Sequence, residues 1–218
     1  MSLLRKQADQ TSKGSLSSKL RGRRIDAFVN YCRSIGTGLN IADVGGTLYH
    51  WKDHLSKLDG MKITLINIED NDEDMPVNFS RIKADARDLG LIGDGEFDVA
   101  YSNSVIEHFP TFEEQKKVAA NIKRIAKNYY VQTPNYNFPM EPHFIFPFFQ
   151  MLPLPVKKTL LKTFPLGWYE KQKDDRSAER LAVSIRLLRL EELKELFPGC
   201  RISREKFLLM NKSFTAYN

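Results

Sequence analysis

Asn40-Ile41-Ala42-Asp43-Val44-Gly45-Gly46, residues 40–46, is the stretch on which the fold of this 218-residue chain turns. An apolar run too short for a helix ends on an aspartate and two glycines, as a buried strand does when it feeds a tight turn that comes close to a ligand. Further short apolar runs follow: KITLINI (62–68), SRIKA (80–84), FDVAYS (97–102) and NYYVQT (128–133). Helical patterns precede and separate them. Leu16, Leu20, Ala27, Phe28, Tyr31 and Ile35 recur at helical spacing until Gly36 and Gly38 stop the pattern, and Val118, Ile122 and Ile125 share one face of a helix over 112–125. Strands that alternate with helices in this way predict a mostly parallel α/β sheet covered on both faces.

The alternation breaks after the fifth strand. PNYNFPMEPHFIFPFFQMLPLP, from Pro134, is dense in proline and phenylalanine, and the basic, aromatic KKTLLKTFPLGWYEKQK follows it. An insertion this apolar, over about 134–182, is expected to act as a lid on the carboxyl ends of the strands. LRLEELKELFPGC then reads as a helix stopped by Pro198 and Gly199. RISREKFLL and KSFTAY read as a closing antiparallel pair joined by a turn around Asn211. Residues 1–15 are rich in Ser, Gln and Lys and read as a disordered tail, which leaves 16–218 as a single domain carrying the insertion.

Composition sets outer limits. No apolar run reaches the roughly 18–20 residues of a spanning helix, and the polar, basic start has no signal-peptide core, so a cytoplasmic location is expected. Cys32 and Cys200 fit neither a disulfide framework nor a metal site. The net charge of +6 is modest. Basic residues cluster at Lys19, Arg21, Arg23 and Arg24 and again at Lys157, Lys158, Lys162, Lys171 and Lys173; such patches attract phosphates or anionic lipid headgroups, and are also common as solvated faces.

Open parallel sheets bind ligands beyond the carboxyl ends of their strands, where strand order reverses, so Asp43-Val44-Gly45-Gly46-Thr47 marks the expected ligand loop. From IADVGG through ITLINIED and IKADARDLG to EFDVAYSNSVIEHF, the chain resembles class I S-adenosylmethionine-dependent methyltransferases, especially the small-molecule, methyltransferase-11-like branch. The resemblance covers 40–133 and returns at KSFTAY. It implies a Rossmann-like three-layer sandwich with S-adenosylmethionine as cofactor. On these positions it implies that Asp43, Gly45 and Gly46 hold the methionine part, Asn67 and Glu69 the ribose, and Asp85 and Ala86 the adenine edge, with Ser102 and Asn103 lining the transferred methyl and the acceptor. The chain departs from the family's D-x-G-x-G-x-G loop at Thr47 and Tyr49, and carries the neutral Asn67 where an acidic residue is usual.

Methyl transfer to a hydroxyl needs a positioned acceptor and a base. His143, His108, Glu107 and Glu141 are candidates; in Glu141-Pro142-His143 an extended backbone puts the carboxylate and the imidazole on one side, a carboxylate-oriented base. His108 reads more readily as a cap on the next helix, and His143 equally as a histidine satisfied by a backbone carbonyl. No metal site is expected, because the four histidines lack a third carboxylate or thiol at ligand spacing; His50 and His54 read as helix-surface residues. The expected acceptor is a small-molecule, glycan or lipid-linked hydroxyl or amine compound, with peripheral membrane contact possible. Two other classes stay open: a Rossmann-like binding protein without catalysis, suggested by Thr47, Tyr49 and Asn67, and a nucleic-acid methyltransferase. The latter is disfavoured because Ser-Asn-Ser stands where an Asn-Pro-Pro-Tyr tetrapeptide would follow the fourth strand. A dinucleotide dehydrogenase is weaker still, since G-x-G-x-x-G is absent.

Overall fold

The computed structural model describes residues 16–69 and 74–218. The tail expected over 1–15 lies outside the described residues. Helix α1 (Leu16–Ile35) leads into β1 (Asn40–Val44), followed by the four-residue α2 (Leu48–Trp51), β2 (Lys62–Asn67), β3 (Phe79–Lys83) and β4 (Phe97–Asn103). Helix α3 (Phe112–Ile125) runs straight into β5 (Ala126–Pro134). Thr111 starts α3 with a capping box: its hydroxyl accepts from the Glu114 amide at 3.2 Å, and the Glu114 carboxylate accepts from the Thr111 amide at 3.3 Å. After the insertion come α6 (Leu190–Leu196), β8 (Arg201–Phe207) and β9 (Met210–Tyr217).

The seven strands lie in the order β3-β2-β1-β4-β5-β9-β8. β1 to β5 are mutually parallel, β9 runs antiparallel to β5, and β8 antiparallel to β9. Chain order therefore reverses between β1 and β4, which opens a crevice at their carboxyl ends. Successive residues of the central strands face opposite layers. Ala42, Val44 and Ala100 pack on α3 and α6, while Ile41, Val99 and Tyr101 pack on α1 and Trp51. Both faces are dry, which is why these strands read as continuous apolar runs rather than alternating ones.

One sequence expectation changes in detail. The closing hairpin turns at Leu208–Leu209 rather than around Asn211, with Leu208 at φ 53°. Past the turn the register slips: Phe207 pairs Met210 and Lys206 pairs Asn211, but Glu205 pairs Ser213, so Lys212 is an extra residue on β9. The insertion carries regular elements of its own. It forms the short strands β6 (Met140–Glu141) and β7 (Phe146–Pro147) and the helices α4 (Leu154–Thr163) and α5 (Asp175–Val183). These enclose a small core of their own made by Phe144, Phe149, Leu161, Ala178 and Ala182.

Phe144 and Phe149 hold that small core together, with ring centroids 4.0 Å apart and both side chains buried. Phe149→Ala should cost about 3–5 kcal/mol. Hydrogen exchange should show the loss concentrated in 140–183, with the amides of β1 and β4 little changed; a loss spread evenly over the sheet would mean that the insertion has no separate core.

Candidate active site

A cavity of about 540 Å³ opens at the carboxyl ends of β1, β4 and β5, and a smaller one of about 150 Å³ lies beside it toward β2. Gly46, Thr47 and Tyr49 line both. Gly45 sits at φ 79°, and a Cβ there would run into the Val105 methyl groups in the turn after β4; a Cβ at Gly46 would meet the Asp43 carboxylate. The loop thus needs glycine at 45 and 46. Thr47 is extended at φ −132°, ψ 150°, a conformation open to any residue, and Tyr49 lies half exposed beneath the Arg21 guanidinium. The two departures from the family loop therefore leave its backbone path intact.

Asp43 is buried and accepts from the Trp51 indole at 2.7 Å. Burial pushes its carboxyl up to about 7 against the pull of that hydrogen bond. A cation placed beside it would restore the carboxylate. Asn67 plays a different part from the acidic residue usual in its place. Its side-chain amide donates to the carbonyls of Gly45 (3.3 Å) and Gly46 (3.0 Å), and its oxygen accepts from the Glu69 amide (3.2 Å). Asn67 latches the glycine loop, and Glu69, which lines the smaller cavity, carries the carboxylate on that side.

Of the other positions carried over from the family, Asn103 lines the large cavity with its side-chain oxygen buried and unpartnered. Ser102, Asp85 and Ala86 line neither cavity. Ser102 is buried and donates to Val44 O at 3.0 Å, tying β4 to β1. Asp85 is engaged by Arg87 at 2.6 Å, whose hydrogen bonds hold the carboxyl below its ordinary value, and Ala86 packs in the core.

The opposite wall carries the candidate base. Glu141 of β6 meets His143 Nδ1 at 2.7 Å and also accepts from the Phe144 amide at 2.6 Å. His143 Nε2 lies 4.0 Å from Glu107 Oε1; Glu107 is fully buried, with its other oxygen accepting from Thr133 at 3.1 Å. Burial works against the charge of His143, but the hydrogen bond and charge of Glu141, and then the charge of Glu107, outweigh it and hold the ring above the usual histidine range. Burial raises Glu107, with the His143 charge pulling the other way. His108 is pushed down to about 4 by burial and by His143. It is not a helix cap: Thr111 has that place, and the His108 ring stands edge-on to His143 with centroids 5.0 Å apart. Ser104 (φ 55°) and Ile145 (φ 48°) hold left-handed backbone in the cavity wall, the kind of strain that surrounding structure retains at functional sites.

Two expectations are corrected. Glu107 and His108, adjacent in sequence, and the distant His143 bring donor atoms within 4.8 Å of one another, so the lack of a ligand set by spacing does not carry into space. His50 is not a helix-surface residue, since it lines the large cavity and pairs with the Tyr101 hydroxyl at 2.9 Å. The insertion's lysines do not rim the cavity. Lys158 bonds Asp175 and Glu179, Lys162 bonds Asp175 at 2.6 Å, and Lys157 lies over the Phe149 ring. The cations that do line it are Arg21, Arg24 and Lys212. Arg21 and Arg24 belong to the basic cluster visible in the sequence; Lys212 gave no signal there.

Residues 35–129 match a family described as a methyltransferase domain. The matched stretch, which runs from β1 into β5, is a methyltransferase domain. The chain's fold is shared with an S-adenosylmethionine-dependent methyltransferase from Mesorhizobium loti, at 13% identity and TM-score 0.52 over 83% of this chain and 90% of that one. It is shared also with magnesium protoporphyrin IX methyltransferase from Synechocystis PCC 6803 with bound S-adenosylhomocysteine, at 12% identity and TM-score 0.52 over 89% and 82% of the two chains. A methyltransferase from an antibiotic biosynthesis pathway of Anabaena variabilis is similar at 16% identity and TM-score 0.49; 83% of this chain is covered, and it spans 64% of that protein. No curated protein sequence matches the chain.

The residues of this site are of the kinds that S-adenosylmethionine would need. A glycine loop that a Cβ would obstruct, a buried aspartate poised beside it, the unpartnered Asn103 oxygen and a carboxylate at Glu69 are what a sulfonium amino acid joined to a ribose calls for. If Asn67 is the loop latch, Asn67→Asp sets a carboxylate against two carbonyls, and binding of S-adenosylhomocysteine by calorimetry should weaken about 10-fold or more. Tighter binding by Asn67→Asp would assign Asn67 to the ribose directly.

Proposed function

We propose that the enzyme is an O-directed methyltransferase in which His143 takes the hydroxyl proton of the acceptor and Glu141 orients it. The observation that carries this reading is the 2.7 Å contact between His143 Nδ1 and Glu141 in the wall of the large cavity. With Nδ1–H donating to the carboxylate, the neutral ring carries its lone pair on Nε2. Bound S-adenosylmethionine would supply an already activated methyl group. The chain's part is to place the acceptor and receive its proton: the acceptor O–H bond breaks, an N–H bond forms at Nε2, and the imidazolium stands between Glu141 and Glu107. Asp43, Gly45, Gly46, Asn67, Glu69 and Asn103 are the residues we assign to the cofactor; the adenine contact at Asp85 and Ala86 and the role of Ser102 at the methyl rest on the family resemblance alone.

Phe138, Met140, Ile145 and Trp168 line the acceptor end, a mostly apolar surface suited to a small-molecule or lipid-linked hydroxyl compound more than to a nucleic acid. Trp168, Phe148 and Phe164 of the insertion are about half exposed, which supports peripheral contact with a membrane holding such an acceptor; no helix among the described residues is long and apolar enough to cross one. Cytoplasmic action suits Cys32 and Cys200, both free thiols.

The base must be neutral to act, so turnover should rise with pH through an inflection above the ordinary histidine value of about 6.5. The groups facing His143 are Glu141 from β6 and Glu107 and His108 from the turn after β4, with Lys157 and Tyr169 close enough to Glu141 to feel its charge. Glu141→Gln removes the larger upward influence and should move the inflection down. His143→Ala should lower kcat by about 10²–10⁴-fold with S-adenosylhomocysteine affinity unchanged. Parental turnover by His143→Ala would leave positioning alone to account for the rate.

A further inference from the structure

The end of the large cavity away from His143 carries a second set of polar groups that base chemistry does not use. Arg24 enters from α1; Glu205, Lys212 and Ser213 enter from the β8–β9 hairpin. Because β9 is antiparallel to β5, Ser213 pairs with Pro134 at the carboxyl end of β5, so the hairpin tip overhangs the site. Neighbouring residues of a regular strand point to opposite faces, yet Lys212 and Ser213 both line the cavity. The extra residue at Lys212 is the reason, since a bulge re-aims a side chain at the cost of one ladder position.

These groups attract one another without being satisfied. Arg24 Nε lies 3.6 Å from Glu205, and Lys212 Nζ lies 3.7 Å from it, both too long for hydrogen bonds. Arg24 Nε, Glu205 Oε1 and the hydroxyl of Ser213 are all buried with no hydrogen-bond partner, and Ser213 is 3% exposed. Two cations share one carboxylate, with Arg21 on the same wall. The surplus positive charge is felt nearby: burial first, and then Arg24 and Arg21, push His50 down to about 3. Desolvated donors with surplus positive charge call for an anion with several acceptor oxygens.

We infer that Arg24, Lys212 and Ser213 form a subsite for a phosphate group on the acceptor, held at the β8–β9 end of the cavity while the hydroxyl to be methylated lies at His143. A phosphate, with up to two negative charges and several oxygens, answers the surplus charge and the orphaned donors together; a single carboxylate would leave charge over. The ribose side assigned above lies across the sheet, at β2, with three strands between it and β9 in the order β2-β1-β4-β5-β9, so the acceptor is the nearer source of the anion. That the phosphate belongs to the acceptor rests on the O-methyl-transfer reading. Phosphate binding is measured without turnover, so the two can fail separately.

The test is calorimetric titration of inorganic phosphate, at low ionic strength, into the full chain saturated with S-adenosylhomocysteine. The parent should bind phosphate, and Arg24→Gln with Lys212→Met should weaken binding by about 10-fold or more. Ser213→Ala removes one hydroxyl and should weaken it less. Glu205→Gln removes the competing carboxylate and should tighten it, a gain that misfolding cannot produce. No phosphate binding by the parent, or equal binding by the double variant and by Glu205→Gln, overturns the proposal. So does a loss of S-adenosylhomocysteine affinity in Arg24→Gln with 5′-methylthioadenosine affinity unchanged, because that compound lacks the amino-acid end and the cations would then serve the cofactor.

Discussion

Gly45 packs its backbone against the Val105 side chain at φ 79°, while its amide donates to Ile66 O at 2.7 Å and its carbonyl accepts from Asn67. This junction ties the end of β1 to the end of β2 and presses it against the turn after β4. The two strands between which chain order reverses are thereby held at a fixed spacing, with the crevice open above them. The arrangement depends on a single missing side chain, since any Cβ at Gly45 would force Val105 and the following turn away. That turn carries Glu107 and His108, so the geometry of the candidate base is coupled to the geometry of the glycine loop through one contact.

The insertion adds the other half of the site. It contributes His143 and Glu141 from a short β-turn-β segment, and fixes them with a core of its own rather than by loose attachment to the sheet. The Trp168 amide donates to His143 O at 3.3 Å, and Glu141 accepts from both the His143 ring and the Phe144 amide. An imidazole held at its ring and its carbonyl, between two buried carboxylates, keeps one orientation. The apolar character that marks this segment in the sequence serves two ends: phenylalanines at 144 and 149 build the support, and other rings and aliphatic groups wall the large cavity.

Electrostatically the large cavity has two unlike ends. Near His143 the carboxylates of Glu107 and Glu141 prevail, and near Arg24 the cations do. A ligand with an anionic end and a proton to give away can lie along that gradient in one direction only, so the polarity of the cavity contributes orientation beyond what its shape provides.

The sequence by itself determined the sheet, because strands buried on both faces are written as unbroken apolar runs and the helices between them as 3.6-residue periodicities. It marked the glycine loop for the same kind of local reason, since only glycine tolerates that φ and that approach. It put Glu141 near His143 by closeness in the chain, although the backbone expected to be extended there turns at 142–145. Tertiary structure decided what depends on distant partners. Asn67 became a latch because the carbonyls of Gly45 and Gly46 lie within its reach, 22 and 21 residues back in the chain. Glu107 joined His143 because one follows β4 and the other follows β5, neighbouring parallel strands whose carboxyl ends lie on the same side. Lys212 turned inward because of one extra residue in a hairpin, a slip in pairing register that leaves no mark on a single strand's pattern, since register belongs to two strands at once.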